Sequence, residues 1–258
     1  MINLTSQFRF FLVGLSFFML GCKSTSTDIK VILDQTCEIC PKISEEIKTA
    51  TMSCLGIDDV EIVSMNSCNV SFFTANGMTY RPSFTASLPS APMFLFRVDK
   101  DRVDETKIFI NQRIPEIFRA SSKVTLDTSK TYFYHNLLRA LNELSISNSD
   151  RKQCFIYGDG LEHGDVSWYT YRSNPKGLID DQELLKYKLI ELYGEMPDLS
   201  GIIVKLIHVP QKKDLALFEY SSRFLKGLIE ENNGSFFLET CSATRVDRKP
   251  LVSNTTNK

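Results

Sequence analysis

The sequence predicts an α/β protein built on one open, mostly parallel, doubly wound sheet with helices on both faces. Three observations predict it. Short apolar segments alternate with helical ones along the chain, the order that builds strand–helix–strand units. The first strand candidate, Ile29 to Leu33, is apolar enough to be buried on both faces, as parallel strands are. Two strand candidates stop abruptly at an aspartate, Asp34 after Leu33 and Asp159 after Tyr157-Gly158. The carboxyl ends of parallel strands are where such sheets place ligand-binding residues.

Before the first strand, Arg9 precedes an apolar run from Phe10 to Leu20 that ends at Gly21-Cys22. Roughly ten apolar residues fall short of the ~20 needed to cross a bilayer, so residues 1–21 read as a signal peptide. Met19-Leu-Gly-Cys22 resembles a bacterial lipoprotein signal, with Met19 in place of the usual Leu. The resemblance implies that Cys22 becomes the N-terminus and carries acyl chains such as palmitate. Two or more chains give stable membrane anchoring where one does not. Lys23 is next, and by resemblance to enterobacteria-like sorting it points to the outer membrane, with the domain in the periplasm or at the cell surface.

Residues 22–28, Ser/Thr-rich after the cysteine, read as a tether, and residues 29–244 as one domain. Pro41 opens a helix to about Met52, with Ile43 and Ile47 on one side and Glu45, Glu46 and Lys48 on the other; Pro suits a first turn because its missing N–H has no helical partner there. Asp59 to Met65 reads as a second strand. Residues 66–92, polar and Ser/Thr-rich with Gly77, Pro82 and Pro89, read as an excursion or hairpin outside the core sheet. Pro92 to Val98 reads as a third strand, Asp99 to Asp104 as a charged turn, and Ile108 to Phe118 as a strand leading into a short helix. Thr128-Ser-Lys-Thr131 precedes a helix with Leu137, Leu138, Leu141 and Leu144 at helical spacing, and Thr or Ser in that place is a capping signal.

Gln153 to Tyr157 is a fourth strand, broken by Gly158-Asp-Gly160, and Asp181 to Tyr193 is a helix. Ile202 to Ile207 is a fifth strand, Asp214 to Glu231 a helix stopped at Asn233-Gly234, and Phe236 to Leu238 a last strand. Arg245 to Lys258 reads as a polar, disordered tail.

The chain of 258 residues is 43% apolar and 24% charged with a formal charge of -1, and has no basic run, which excludes nucleic acid as an expected partner. Without Cys22, six cysteines remain: Cys37, Cys40, Cys54, Cys68, Cys154 and Cys241. An even number in an exported protein permits disulfides. Connectivity does not follow from spacing; Cys54 and Cys68 flank one strand candidate and are the favoured pair. Cys154 lies inside a strand and fits a small buried hydrophobe.

If the first and fourth strands are neighbours where strand order reverses, Asp34 and Asp159 face one crevice, and Thr131 enters it from the turn before its helix. Carboxylates and hydroxyls form an oxygen-only ligand set suited to Mg²⁺, Mn²⁺ or Ca²⁺, not zinc. The chain resembles a von Willebrand factor A-type domain on these residues. That family carries Asp-x-Ser-x-Ser after its first strand, a Thr before a later helix, and an Asp after its fourth strand, together a metal-ion-dependent adhesion site. Asp34-Gln-Thr36-Cys-Glu38 falls on the first motif, Thr131 on the Thr, and Asp159-Gly160 on the last Asp and its Gly. The resemblance implies Mg²⁺ or Mn²⁺ held by Asp34, Thr36, Glu38, Thr131 and Asp159, completed by an acidic side chain of a partner protein. Thr36 and Glu38 replace the two Ser of the motif. A third carboxylate strengthens attraction for a cation but is longer than a Ser hydroxyl, and without metal the three repel one another. In structural terms alone, Asp34 caps the next helix and Asp159 caps a turn.

A thioredoxin-like thiol–disulfide oxidoreductase is the enzyme alternative, with Cys37 as nucleophile and Cys40 resolving, at a strand-to-helix junction. Against it, the chain runs on through two more strand–helix units than a thioredoxin core needs. The other reading of the pair is structural disulfide bonding. Glu162, His163 and Asp165 form an acidic loop with one histidine, but His135, His163 and His208 lack zinc-ligand spacing. No phosphate loop or nucleophile elbow is present, and Tyr132, Phe133 and Tyr134 read as helix packing. The expectation is a lipid-anchored, non-enzymatic protein that binds a protein partner.

Overall fold

The computed structural model describes residues 25–34, 66–75, 84–90, 100–121, 131–208 and 215–240. Within them, six strands form one sheet in the order β3-β2-β1-β4-β5-β6. They are β1 (Ser26–Leu33), β2 (Ser67–Thr74), β3 (Phe84–Leu88), β4 (Arg151–Tyr157), β5 (Ile202–His208) and β6 (Ser235–Thr240). Every neighbouring pair is parallel except β2 with β3. This is a mixed α/β, Rossmann-like sheet whose strand order reverses between β1 and β4, as the sequence led us to expect.

Alternation along β1 explains why it sits at the centre. Ile29, Val31 and Leu33 point into one apolar cluster with Val70, Phe72, Phe109 and Ile114. Ile32 points into the other, with Phe73, Leu137, Leu141, Leu206 and Leu225. Successive side chains of a strand face opposite sides, so eight residues serve two cores. The same period puts Lys30 on the second face, where its Nζ lies 3.2 Å from Asp28 Oδ1 and 3.1 Å from Glu143 Oε2. A buried lysine is tolerated there because paired carboxylates replace its water.

Helices cover both faces. On one side a continuous helical segment comprises α1 (Lys100–Ile108), a wider π-type turn (Phe109–Arg113) and α2 (Ile114–Ser121). On the other lie α3 (Phe133–Ile146), the short α4 (Gly177–Asp180), α5 (Gln182–Tyr193) and α6 (Leu215–Glu231). The leucines of α3 are buried at helical spacing, Leu137, Leu141 and Leu144 completely, and Phe133 and Tyr134 pack with them. Asn233 ends the α6 turn in the left-handed region at φ 66°, a conformation asparagine tolerates better than most residues.

Four sequence expectations need correction. Residues 66–92 are not an excursion outside the sheet: they supply β2, paired along its whole length with β1, and β3. Their Ser and Thr residues concealed a two-residue alternation of Cys68, Val70 and Phe72, all buried. From residue 100 the charged stretch expected as a turn is the start of α1, with Arg102 turned inward. Its guanidinium donates to the carbonyls of Asn66 (3.0 Å) and Pro89 (2.6 Å) and to Glu105 (2.8 Å). Residues 108–118 contain no strand. The tether ends sooner than expected, since β1 begins at Ser26 with Thr27 and Asp28 buried.

The expected helix at 41–52, the strands at 59–65 and 92–98 and the tail at 245–258 lie outside the described residues. So do Cys22, Cys37, Cys40, Cys54 and Cys241. Cys68 is buried in β2, and Cys154 is a free, buried thiol that burial pushes up to about 12. Among the described residues, no helix is long and apolar enough to cross a membrane.

Candidate functional site

Parallel pairing of β1 with β4 places their carboxyl ends side by side, Leu33 opposite Tyr157. A belt of backbone hydrogen bonds continues past the strands and fixes the residues at their ends. Asp34 N–H donates to Tyr157 O (2.8 Å), and Ala75 N–H donates to Leu33 O (2.8 Å). Gly158 N–H donates to Ile207 O (3.3 Å). The segment before α3 is tied into the same belt at two points: Tyr132 N–H donates to Ala75 O (2.9 Å), and His163 N–H donates to Thr131 O (2.9 Å). Thr131 is thereby held between the end of β2 and the loop after β4. Asp34, Thr131 and Asp159 are gathered at one end of the sheet, at the point where strand order reverses.

Asp34 is 2% exposed and Thr131 4%, while Asp159 is half-buried. Gly158 is needed for the close approach of β4 to Asp34. A Cβ there would run into Asp34 Cβ and stand 3.2 Å from its Oδ2, at a φ of 154°. Asp159 Oδ1 accepts the N–H of Leu161 (3.0 Å), so the turn-capping role read from the sequence is present. Two carboxylates and a hydroxyl at one end of the sheet are oxygen donors of the kind that suits a hard divalent cation. Thr36 and Glu38, the other two expected ligands, lie outside the described residues. Among the described residues, no group of three or more His, Cys, Asp or Glu side chains is placed to hold a metal.

Glu162 is the residue whose role sequence reasoning missed. It is fully buried in the loop beyond Asp159. Its Oε2 accepts the N–H of Tyr134 (2.6 Å), and its Oε1 accepts that of Gly164 (2.9 Å). The first helical N–H groups have no partner within a helix, and Tyr132 at the cap position offers none from its side chain. A carboxylate near the positive end of the helix dipole satisfies one of them. Burial nevertheless pushes Glu162 up to about 8, against the two N–H donors that pull it down. The sequence signal was only the missing local cap, because the partner stands 28 positions away.

Aromatic rings pack beside the start of α3. Tyr193 lies 5.9 Å from the ring of Tyr134 and 5.7 Å from that of His135. Burial, with Glu162 and Asp165 nearby, raises the pKa of Tyr193. His163 Nδ1 is 2.9 Å from Ser167 Oγ, so that histidine has a structural contact within its own loop. Trp168, fully buried, meets Phe224 edge-on with centroids 5.2 Å apart, and its backbone N–H donates to Glu162 O (2.9 Å). At the end of β5, burial against Phe218 lowers His208 to about 4.

No protein-family profile matches the sequence, and no curated protein matches it. Two crystal structures of the pilus adhesin SpaC from Lactobacillus rhamnosus GG are similar to the fold. One aligns at 10% identity and a TM-score of 0.40, covering 86% of this chain and 29% of the adhesin. The other, in an open conformation, aligns at 10% identity and 0.37, covering 84% and 28%. The chain thus spans less than a third of the length of the adhesin it resembles. It is a Rossmann-like α/β protein whose described residues form a six-stranded, mostly parallel sheet.

Proposed function

We propose that this is a lipid-anchored envelope protein whose von Willebrand factor A-like domain binds a protein partner through a divalent cation. One observation supports the reading: β1 and β4, which run into Asp34 and Asp159, are parallel neighbours at the strand-order reversal, and backbone hydrogen bonds at Thr131 and Tyr132 tie the segment before α3 to the same end of the sheet. Asp34, Thr36, Glu38, Thr131 and Asp159 would hold Mg²⁺ or Mn²⁺. The cation would supply an electrophilic point for an acidic side chain of the partner, which is recognition rather than catalysis. The domain's own contribution is to fix the donors: the belt sets Thr131, Gly158 lets β4 approach Asp34, and the Asx turn sets Asp159. Acylation of Cys22 would anchor the domain to the outer membrane.

That β5 and β6 extend the same sheet favours this reading over a thioredoxin-like oxidoreductase using Cys37 and Cys40. Calorimetric titration of the folded domain with Mg²⁺ and Mn²⁺ separates the two. Binding at millimolar metal or below, abolished by Asp159→Ala and retained by Cys37→Ser, is the expected result. An absence of binding would remove the cation from the reading. Reductase activity lost on Cys37→Ser would favour the oxidoreductase.

A further inference from the structure

The chain is tied into the fold almost at once after the proposed lipid site. Thr25 N–H donates to Asn66 Oδ1 (2.9 Å), and Thr25 O accepts the N–H of Ser67 (3.1 Å). Ser26 is held on the other side: its N–H and Oγ donate to Asp150 Oδ2 (2.9 and 3.1 Å), while its Oγ accepts the N–H of Asp150 (3.1 Å). Those bonds clamp the start of β1 to the starts of β2 and β4. From Cys22 to Thr25 the chain has three residue steps, so even fully extended it spans at most about 11 Å. An acylated Cys22 sits at the bilayer interface, and a link that short leaves the clamped end little freedom to leave it.

That end is a definite surface. Parallel pairing gathers the amino ends of five strands there, at Ser26, Ser67, Arg151, Ile202 and Ser235. The last residue of α3 adds Ile146, an apolar side chain that is 81% exposed. The candidate cation crevice lies at the opposite, carboxyl end, separated by the length of β1, eight residues or about 26 Å.

We infer that the amino-end rim of the sheet, around Thr25, Ile146 and Arg151, faces the lipid surface and holds the crevice of Asp34, Thr131 and Asp159 away from it. This rests on the acylation of Cys22 proposed above, and not on whether the crevice takes a metal. It narrows the partner. A protein that reaches the crevice does so from the side facing away from the anchoring membrane, and a partner lying flat in that membrane does not reach it.

The test uses the full-length lipoprotein in its membrane, with a photoreactive benzoylphenylalanine at Ile146 or, as the far-end control, at Leu192. Leu192 is 47% exposed and adjoins Tyr193, which packs on the start of α3 near the crevice. Roughly tenfold more lipid adduct is expected at position 146 than at 192, given the ~26 Å of strand between the two ends. A Gly/Ser insert of about twenty residues between Ser24 and Thr25 should bring the two yields close together, because such a linker behaves as a flexible coil. Mass analysis of the N-terminal peptide reads acylation in the same samples. Acylated protein with equal adducts at both positions, or with most adduct at 192, overturns the orientation alone. Protein without acyl chains overturns the anchor and the orientation together.

Discussion

The carboxylate of Glu162 accepts the backbone N–H of Tyr134 at 2.6 Å across 28 positions of sequence, and so caps a helix that has no side-chain cap of its own. The contact fastens the loop bearing Asp159 to the helix just after Thr131. Replacing Glu162 with Ala should cost about 1–3 kcal/mol through the orphaned N–H groups, measured by urea denaturation. It should also weaken any Mg²⁺ or Mn²⁺ binding.

Stability should depend on pH in a way two residues explain. Glu162 is near 8 in the fold against an ordinary 4.5, so between those values the unfolded chain binds fewer protons and stability falls as pH rises. His208 acts in the other direction: near 4 in the fold against 6.5, it makes stability fall as pH drops through that window. The two oppose each other from 4.5 to 6.5, and above 6.5 Glu162 is left as the titrating group of the pair. The urea midpoint should therefore decline from pH 6.5 to 8, and Glu162→Gln should flatten that decline. A slope unchanged by Glu162→Gln would assign it to other groups.

Gly158→Ala should disturb both fold and site, since the added methyl meets Asp34. Overpacking of this kind costs about 1–3 kcal/mol. The informative comparison is Gly160→Ala, where the new Cβ meets the side-chain ends of Leu225 (3.1 Å) and Leu206 (3.5 Å) instead of a candidate ligand. Its φ of 66° makes it unfavourable for stability too, but loss of metal affinity beyond the loss of stability is expected only at 158.

Lys30 tests the buried charges. Lys30→Met takes the lysine away from Asp28, while Glu143 keeps Arg139 (3.9 Å), and removal of one partner of a buried pair costs about 3–5 kcal/mol. Adding Asp28→Val should recover part of that loss, because it takes away the buried carboxylate that Lys30 neutralises. A chemical denaturation cycle over the two single variants and the double gives the coupling directly. Additive losses would mean the pair contributes nothing as a pair.

Phe224→Ala opens the wall against which Trp168 rests and should cost about 3–5 kcal/mol. Trp168 is the single tryptophan, so its emission should shift to the red in the folded variant as water enters. An unshifted spectrum would mean that the neighbouring loop closes over the gap.

The parts of the fold legible in the sequence were those with local signals. Ile29 to Leu33, Gln153 to Tyr157 and Ile202 to Ile207 are largely apolar runs, and each is a central parallel strand. Asp34 and Asp159 stand out in the sequence as candidate site residues because they follow two of those runs. The rest depended on distant partners. Ser71 and Thr74 are buried in β2 by neighbours the local sequence does not announce. The start of α1 has no apolar stripe, since what turns it inward is Arg102, whose acceptors are backbone carbonyls of other segments. Glu162 looked like loop charge because its acceptor role depends on helix geometry that forms elsewhere.

Arg102 also bears on the order in which the molecule comes together and apart. A two-stranded hairpin is marginal by itself, and among the described residues β3 is an edge strand whose one partner is β2. The guanidinium bridges a carbonyl just before β2 and one just after β3, so it staples the open end of the hairpin where fraying would begin. The hairpin and α1 therefore belong to one cooperative unit. Neither opens without the other, and slow amide exchange along β2 should report on the docking of a helix that starts a dozen residues beyond β3.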